Sequence, residues 1–163
     1  MWLSLKGTPN VNTKSIILIT ALVLGCFLVS GNEARAEEDR LLEMCNEGNS
    51  VACFTRGEKY VTLDRDNKKA IPLFQKACAA DHMTACLWGG NLIQNTGKQY
   101  SPEWKEAAEM FKKACAAGED GGCVNLGSLY YREGRAGKAK KLYKQACDMG
   151  NKIGCHNFKE LSD

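Results

Sequence analysis

Three stretches of the chain carry apolar residues at steps of three and four, which is the spacing of one face of an α-helix. In each stretch this face holds alanine, a large apolar residue, an aromatic residue and a second alanine, while lysine or glutamine occupies much of the opposite side. The pattern predicts three amphipathic helices that bury equivalent faces. The sets are Ala70, Leu73, Phe74, Ala77; Ala107, Met110, Phe111, Ala114; and Ala139, Leu142, Tyr143, Ala146.

A second pattern, with a glycine at its centre, predicts the helices that pair with these. Glycine inside a helix costs about 1 kcal/mol relative to alanine, so its recurrence predicts that another helix crosses closely at this position. The sets are Phe54, Gly57, Tyr60; Leu87, Gly90, Ile93; and Val124, Gly127, Tyr130.

Two cysteines eight positions apart occur four times along the chain. On one continuous helix they would lie about 12 Å apart, whereas a disulfide needs Cα atoms within roughly 4.4 to 6.8 Å. The chain must therefore reverse between them, and a residue suited to a turn lies three positions after each first cysteine. We predict two antiparallel helices per unit, joined by a disulfide at their shared turn. The pairs are Cys45/Cys53, Cys78/Cys86, Cys115/Cys123 and Cys147/Cys155, and the turn residues are Gly48, Asp81, Gly118 and Gly150.

The cysteine count agrees with disulfides in an oxidising compartment. Nine cysteines are present, and removal or lipidation of Cys26 leaves an even eight. Eight cysteines allow roughly a hundred connectivities, among which the repeat favours pairing of the nearest two. A zinc site is less favoured, because no pair has close spacing and only His82 and His156 could join the thiolates. We expect no metal and no cofactor.

The amino-terminal segment has the three parts of a secretory signal. Lys6 and Lys14 lie in a polar lead, an apolar run covers 16–29, and small residues flank Arg35. We therefore expect a signal peptide over 1–36 that is cleaved before Glu37, and a mature protein in the periplasm or outside the cell.

Two alternatives remain open for this segment. An uncleaved anchor is one, although the apolar run of about 14 residues is short for the roughly 20 that span a bilayer. The other is a lipoprotein box over 22–26 ending in an acylated Cys26, although the apolar run continues past that cysteine.

The spacing of the cysteine pairs predicts that the rest of the chain is one array of repeats, and its charge bears on the kind of partner. The units predicted from the cysteine period are 37–66, 67–102, 103–135 and 136–163, and a period of this size is typical of stacked helical repeats. Loss of 1–36 would remove three basic residues and one acidic residue and lower the net charge from +3 to +1. This near balance predicts no nucleic-acid partner.

The order alanine, aromatic, Lys-Ala-Cys, Gly and then Gly-x-x-Tyr resembles the Sel1-like repeats, relatives of the tetratricopeptide repeats, in their cysteine-rich secreted bacterial form, the Hcp type. The resemblance covers 37–160 and implies an all-α superhelix of four disulfide-stapled helix hairpins. Each bridge would tie the end of one helix to the start of the next. The departures are Leu41 and Met44 in the first unit, Lys159 in place of a glycine in the last, and a longer connector over 94–104. Terminal units of repeat arrays are commonly atypical.

Binding is the function that this architecture favours. Stacked helix pairs form an extended concave surface that binds proteins, peptides or polymers, and the resemblance implies an adaptor of the envelope or of the host interface. We expect a monomer with such a partner; a periplasmic assembly factor without a small ligand is a further possibility. The contact candidates are polar residues of the first helices and one aromatic residue, although solvated helix sides and a buried tryptophan would explain the same residues. They are Gln75, Lys76, Trp104, Lys112, Lys113, Lys144 and Gln145.

Hydrolysis of β-lactams is the alternative, and it depends on the resemblance to the Hcp type. A serine β-lactamase needs a lysine three positions after its serine, and no serine here has one at that spacing. We therefore name no catalytic residue and interpret His82 and His156 as incidental polar positions.

Six basic residues fall within thirteen positions and are opposed there only by Glu133. They could face an anionic surface such as lipopolysaccharide or an acidic protein, but we favour their interpretation as the solvated flanks of an amphipathic helix. They are Arg132, Arg135, Lys138, Lys140, Lys141 and Lys144.

Overall fold

The computed structural model describes residues 33–96 and 101–162, and this part of the chain consists of eight helices and no strands. The predicted all-α repeat fold is confirmed. The first helix, α1, covers 33–46 of the described residues. The others are α2 (Ser50–Thr62), α3 (Asn67–Ala79), α4 (Met83–Thr96), α5 (Pro102–Ala116), α6 (Asp120–Arg132), α7 (Ala136–Asp148) and α8 (Lys152–Glu160).

The chain divides into two compact units, Met1–Arg40 and Leu41–Asp163. In the first, the described residues 33–40 are helical and mostly exposed. Most of the predicted signal peptide, including Cys26, lies outside the described residues. Among the described helices, none is both long and apolar enough to cross a membrane. The second unit holds the four helix hairpins, in which the part of α1 over 41–46 and the helices α3, α5 and α7 come first.

Each hairpin reverses at a turn closed by a disulfide between residues eight apart. The Cα atoms of the paired cysteines lie 4.4 to 4.7 Å apart. The residue three positions after the first cysteine has a left-handed backbone in every turn, so the predicted reversals are confirmed. Their φ angles are +94° at Gly48, +61° at Asp81, +92° at Gly118 and +92° at Gly150.

The residue that follows each left-handed position makes hydrogen bonds with the first helix of its hairpin and, in three turns through its side chain, also with the second. Its N–H donates to the carbonyl five residues earlier, as Asn49 does to Met44 O at 3.0 Å, which ends the first helix in a Schellman motif. In three turns its side chain then caps the second helix. Asn49 Oδ1 accepts from Ala52 N at 3.0 Å, and Asn151 Oδ1 accepts from Gly154 N at 2.9 Å. His82 Nδ1 accepts from Ala85 N at 3.3 Å and caps α4 in the same way.

Successive hairpins interlock through glycine and an aromatic ring. A Cβ atom built on Gly57 would lie 2.8 Å from the Phe74 ring, and one built on Gly90 would lie 2.6 Å from the Phe111 ring. The same contact joins Gly127 to Tyr143 at 2.8 Å. The close helix crossing predicted from the glycines is confirmed: each second helix receives the aromatic residue of the next first helix.

The predicted apolar faces form the core, with one partial exception. Leu142 is only half-buried, and every other member of the three first-helix sets is at most 7 % exposed. At the end of the array, α8 and the turn after it present polar, exposed residues at the positions that receive the next hairpin elsewhere, namely His156 and Lys159 in α8 and Ser162 in the turn. This polar face explains the departure at Lys159, because no aromatic ring packs there in the described structure.

Replacing Gly90 with alanine tests the interlock. We expect a loss of about 1–3 kcal/mol in the free energy of unfolding, because the new methyl group would overlap the Phe111 ring. Gly137→Ala is the matched control: this helical glycine has no atom within 4 Å of the position that a Cβ would occupy and no positive φ, so the change should stabilise by up to about 1 kcal/mol. Urea unfolding of both variants provides the measurement, and equal effects would contradict the interlock.

Candidate functional site

The polar candidates on the first helices differ in the hydrogen bonds and ion pairs that their side chains make within the chain. Lys112 pairs with Glu109 at 3.3 Å, and Lys144 pairs with Asp148 at 2.7 Å. Gln145 is exposed on α7. These contacts lie on single helices at the surface, where ion pairs contribute little to stability.

Two candidates instead connect neighbouring hairpins. Lys76 Nζ donates to Asn46 Oδ1 at 2.8 Å, from α3 to the end of α1. Gln75 Nε2 donates to Glu106 Oε1 at 2.7 Å, from α3 to α5. Both bonds run between first helices, so these residues help to define the surface that the first helices form together.

Lys113 is engaged most fully. Its ammonium donates to Cys78 O at 2.6 Å and Ala79 O at 3.1 Å, and it pairs with Asp81 at 2.9 Å. A cation is favourable at the carboxyl end of a helix, where carbonyl groups lack partners. Asp81 has the left-handed conformation that glycine has in the other turns, and aspartate is one of the few other residues that adopt it. Lys113 therefore has a role inside the chain.

Trp104 is not available as a contact residue, and the structure supports the interpretation that the sequence favoured, a tryptophan buried against a neighbouring unit. Its side chain is 1 % exposed and packs in the core with Ile93, Leu126 and Leu129. The guanidinium of Arg132 lies 4.6 Å from the ring centroid. Trp104 fills the space between neighbouring hairpins, and burial of this large ring stabilises their contact.

The six basic residues of α6 and α7 do not form one open cationic surface. Arg135 pairs with Glu133 at 2.9 Å and lies 4.4 Å from the Tyr130 ring. Lys138 approaches the same ring at 5.5 Å, and Lys140 approaches Phe158 at 5.7 Å. These contacts agree with the interpretation as flanks of packed helices.

The two histidines are separate from each other and from any metal-binding group. His82 caps α4, as described above, and its ring stacks on Phe54 with 4.5 Å between centroids. His156 is exposed on α8. Among the described residues, no cluster of three or more histidine, cysteine, aspartate or glutamate side chains could hold a metal ion.

An opening on the first-helix face lies between α3 and α5. A separate, narrower cleft of about 250 Å³, which shares Gln75 and Glu106 with this opening, reaches Lys113. The opening itself has a volume of about 640 Å³, and we call it the α3–α5 groove. Its lining residues are Lys68, Ile71, Gln75, Ile93, Thr96, Ser101, Glu103 and Glu106.

The α3–α5 groove has an apolar floor and a mostly polar rim. Ile93 is 3 % exposed and Ile71 is half-buried, whereas both glutamates are exposed. The side chain of Ser101 donates a hydrogen bond that holds the pKa of the Glu103 carboxyl below its usual value. Glu103 therefore stays ionised at mildly acidic pH. Sequence analysis identified only Gln75 of this group, although the spacing of Glu103 and Glu106 on one helix face was a signal for the acidic rim.

A second cleft, of about 490 Å³, lies between α6, α7 and α8. Ser128 Oγ lies 3.1 Å from the Tyr143 hydroxyl and donates to Val124 O at 3.0 Å. One hairpin earlier, the bond from Asn125 Nδ2 to Asn91 Oδ1 at 3.0 Å joins the corresponding second helices. The remaining lining residues are Tyr131, Arg132, Asn157, Glu160 and Leu161.

Substitution of Lys113 tests its role between hairpins. Lys113→Met should lower the free energy of unfolding by about 1 kcal/mol, because it leaves the end of α3 without its cation. The adjacent Lys112→Met is the control, with an expected change within about 0.5 kcal/mol. Chemical unfolding measures both, and a loss at Lys112 as large as at Lys113 would contradict this role.

Comparison with known proteins places this architecture among helical-repeat folds. No protein-family model matches the sequence, and no curated protein matches it. The structure is similar to a Sel1 repeat protein from Oxalobacter formigenes, with a TM-score of 0.60 and 20 % identity over 76 % of this chain; this chain spans 53 % of that protein, about half its length.

Two further solved structures agree. Helicobacter pylori cysteine rich protein B has a TM-score of 0.52 and 23 % identity, with 76 % of this chain and 93 % of that one covered. MamA has a TM-score of 0.54 and 17 % identity, with 76 % and 82 % covered. At these identities the similarity bears on the fold, where it confirms the resemblance drawn from the sequence. The chain has the α/α repeat fold of the Sel1-like proteins, with a disulfide at each of its four hairpin turns.

Proposed function

We propose that this chain is an exported scaffold that binds a protein or peptide partner on the face formed by α3, α5 and α7. The observation that carries the proposal is the α3–α5 groove, an opening on this face above a closed core. Beneath it, helix contacts such as that of Gly90 with Phe111 leave no space for a methyl group. Helical-repeat scaffolds typically bind partners on such extended surfaces.

The dimensions and lining of the groove support a binding role. Ligand sites in proteins usually measure about 300 to 1,000 Å³ and combine an apolar lining with a few polar groups that orient the ligand. Here Ile71 and Ile93 supply the apolar surface, while Gln75 and Glu106 place an amide and a carboxylate at its edge.

Export to the periplasm or beyond is part of the proposal. Disulfides persist in oxidising compartments, and four of them hold the hairpins. The polar lead, apolar run and small residues before Glu37 support secretion with cleavage at that residue. Anchoring through the apolar run and lipidation of Cys26 are the alternatives to cleavage.

Peptide selection on the mature, oxidised protein tests the binding role. We expect enriched peptides that slow hydrogen exchange in α3 and α5, because a bound segment would cover these helices. Exchange in α8 is the internal control and should not change. Failure to enrich any peptide, or protection confined to the second helices, would contradict the proposal.

The alternative function, hydrolysis of β-lactams, is supported only by the resemblance to the Hcp type. The Ser128 hydroxyl donates to a backbone carbonyl of its own helix, and its described side-chain neighbour is the Tyr143 hydroxyl. A serine nucleophile needs a base that removes its proton, and no histidine, lysine or carboxylate contact to Ser128 is present in the described part of the chain.

A nitrocefin assay on oxidised protein from a β-lactamase-null host separates the two functions. We expect no turnover above the extract background, because no described residue beside Ser128 could act as its base. Turnover that follows the protein through purification and is lost in Ser128→Ala would contradict the binding proposal and favour the hydrolase.

A further inference from the structure

We propose that the α3–α5 groove takes a lysine or arginine side chain from an extended segment of a protein partner, held by Glu103 and Glu106 above the floor of Ile71 and Ile93. This inference rests on the proposed binding function and adds the chemistry of the partner. It follows from the charge of the rim, the apolar floor and a comparison with equivalent positions in the other hairpins.

The two rim carboxylates have no cationic partner among the described residues. Glu103 and Glu106 lie three residues apart on α5, so they share one face of the helix. Glu106 accepts one hydrogen bond, from the neutral amide of Gln75 at 2.7 Å. Among the described residues that line the groove, Lys68 is the one cation, and no described ion pair joins it to either glutamate. The described part of the rim therefore has a net negative charge that a partner's cation would offset.

Three other charged residues of α5 pair within the described structure. Glu109, one turn further along, pairs with Lys112 at 3.3 Å. Lys113 is committed to the end of α3 and to Asp81 at 2.9 Å. Neither lysine neutralises Glu103 or Glu106 in the described structure.

The acidic pair is specific to this hairpin. Counted back from the cysteine, the positions of Glu103 and Glu106 are occupied by Asp66 and Lys69 in α3 and by Arg135 and Lys138 at α7. Asp66 and Lys69 pair with each other at 3.3 Å. Arg135 and Lys138 both approach the Tyr130 ring. The equivalent charges are engaged in these two hairpins, and of the three described hairpins compared, only the third presents two carboxylates toward an open groove.

The apolar floor of the α3–α5 groove favours a basic side chain over a free cation as the ligand. Lysine and arginine carry several methylene groups below the charge, and such stems pack on apolar surface while the charged end stays in polar surroundings. Ile71 and Ile93 offer that surface directly beside the glutamates. A metal ion or a short polar side chain would leave the floor uncovered, so a long basic side chain fits both features.

Gln75 favours a peptide as the carrier of this side chain. Its amide nitrogen is used by Glu106, and its amide oxygen can accept a hydrogen bond from a peptide N–H. An extended segment that follows the groove would continue toward the narrower cleft lined by Cys78, Ala79 and Met110. The groove would thus hold the peptide chain as well as one basic side chain.

Nuclear magnetic resonance titration of the mature oxidised protein with acetyl-Ala-Arg-Ala-amide tests the inference. We expect saturable shifts of the amide signals of α3 and α5 around Ile71, Gln75 and Glu106, and none from the same peptide with glutamine or glutamate in place of arginine. The double variant Glu103→Gln/Glu106→Gln should weaken the apparent affinity at least tenfold. Glu109→Gln is the control and should keep it within twofold.

The double variant is nearly isosteric, and the new amide at position 106 can still accept from Gln75, so we expect unchanged helix content by circular dichroism. Arginine-peptide shifts that persist in the double variant would overturn the inference. So would binding of the glutamate peptide at α7, which would indicate an acidic partner.

The same titration distinguishes this inference from the proposed function. If the arginine peptide has no effect while selected peptides still protect α3 and α5, the inference fails and the binding function stands. If neither the arginine peptide nor any selected peptide binds, both fail.

Discussion

The structure depends on a reversal of the chain within a few residues, repeated four times. Each reversal requires a left-handed residue, a Schellman hydrogen bond and a disulfide between residues eight apart. On the chain-entropy model, closing a loop of about nine residues contributes roughly 2.5 kcal/mol per bridge. The bridge joins the two helices of a hairpin at their turn. Their relative position in turn brings a glycine of the second helix against the aromatic residue of the next hairpin.

Local signals made most of this architecture predictable. The cysteine spacing, the turn residues and the three-and-four apolar steps all act within about ten residues, and packing in the array joins neighbouring helices. The interlock was predictable for the same reason: Gly57, Gly90 and Gly127 occupy a position where any larger residue would overlap a ring. Residues of α6 outside the glycine pattern, such as Leu129, were missed although they are buried.

The first-helix surface was much harder to predict, because it depends on which side chains of different hairpins meet. The sequence places Lys112 and Lys113 side by side, yet one pairs on its own helix and the other reaches the end of α3. Trp104 follows the longer connector, and its burial is decided by space between hairpins that no local pattern reports. The α3–α5 groove arises in the same way, from residues more than thirty positions apart. Function on a repeat scaffold resides in such differences between otherwise equivalent units.

Peptide mapping of the unreduced mature protein by mass spectrometry tests the central claim most directly. The account requires Cys45–Cys53, Cys78–Cys86, Cys115–Cys123 and Cys147–Cys155, with no free thiol among these eight. A bridge between cysteines of different hairpins would contradict it, because the turns and the interlock both depend on closure within each hairpin.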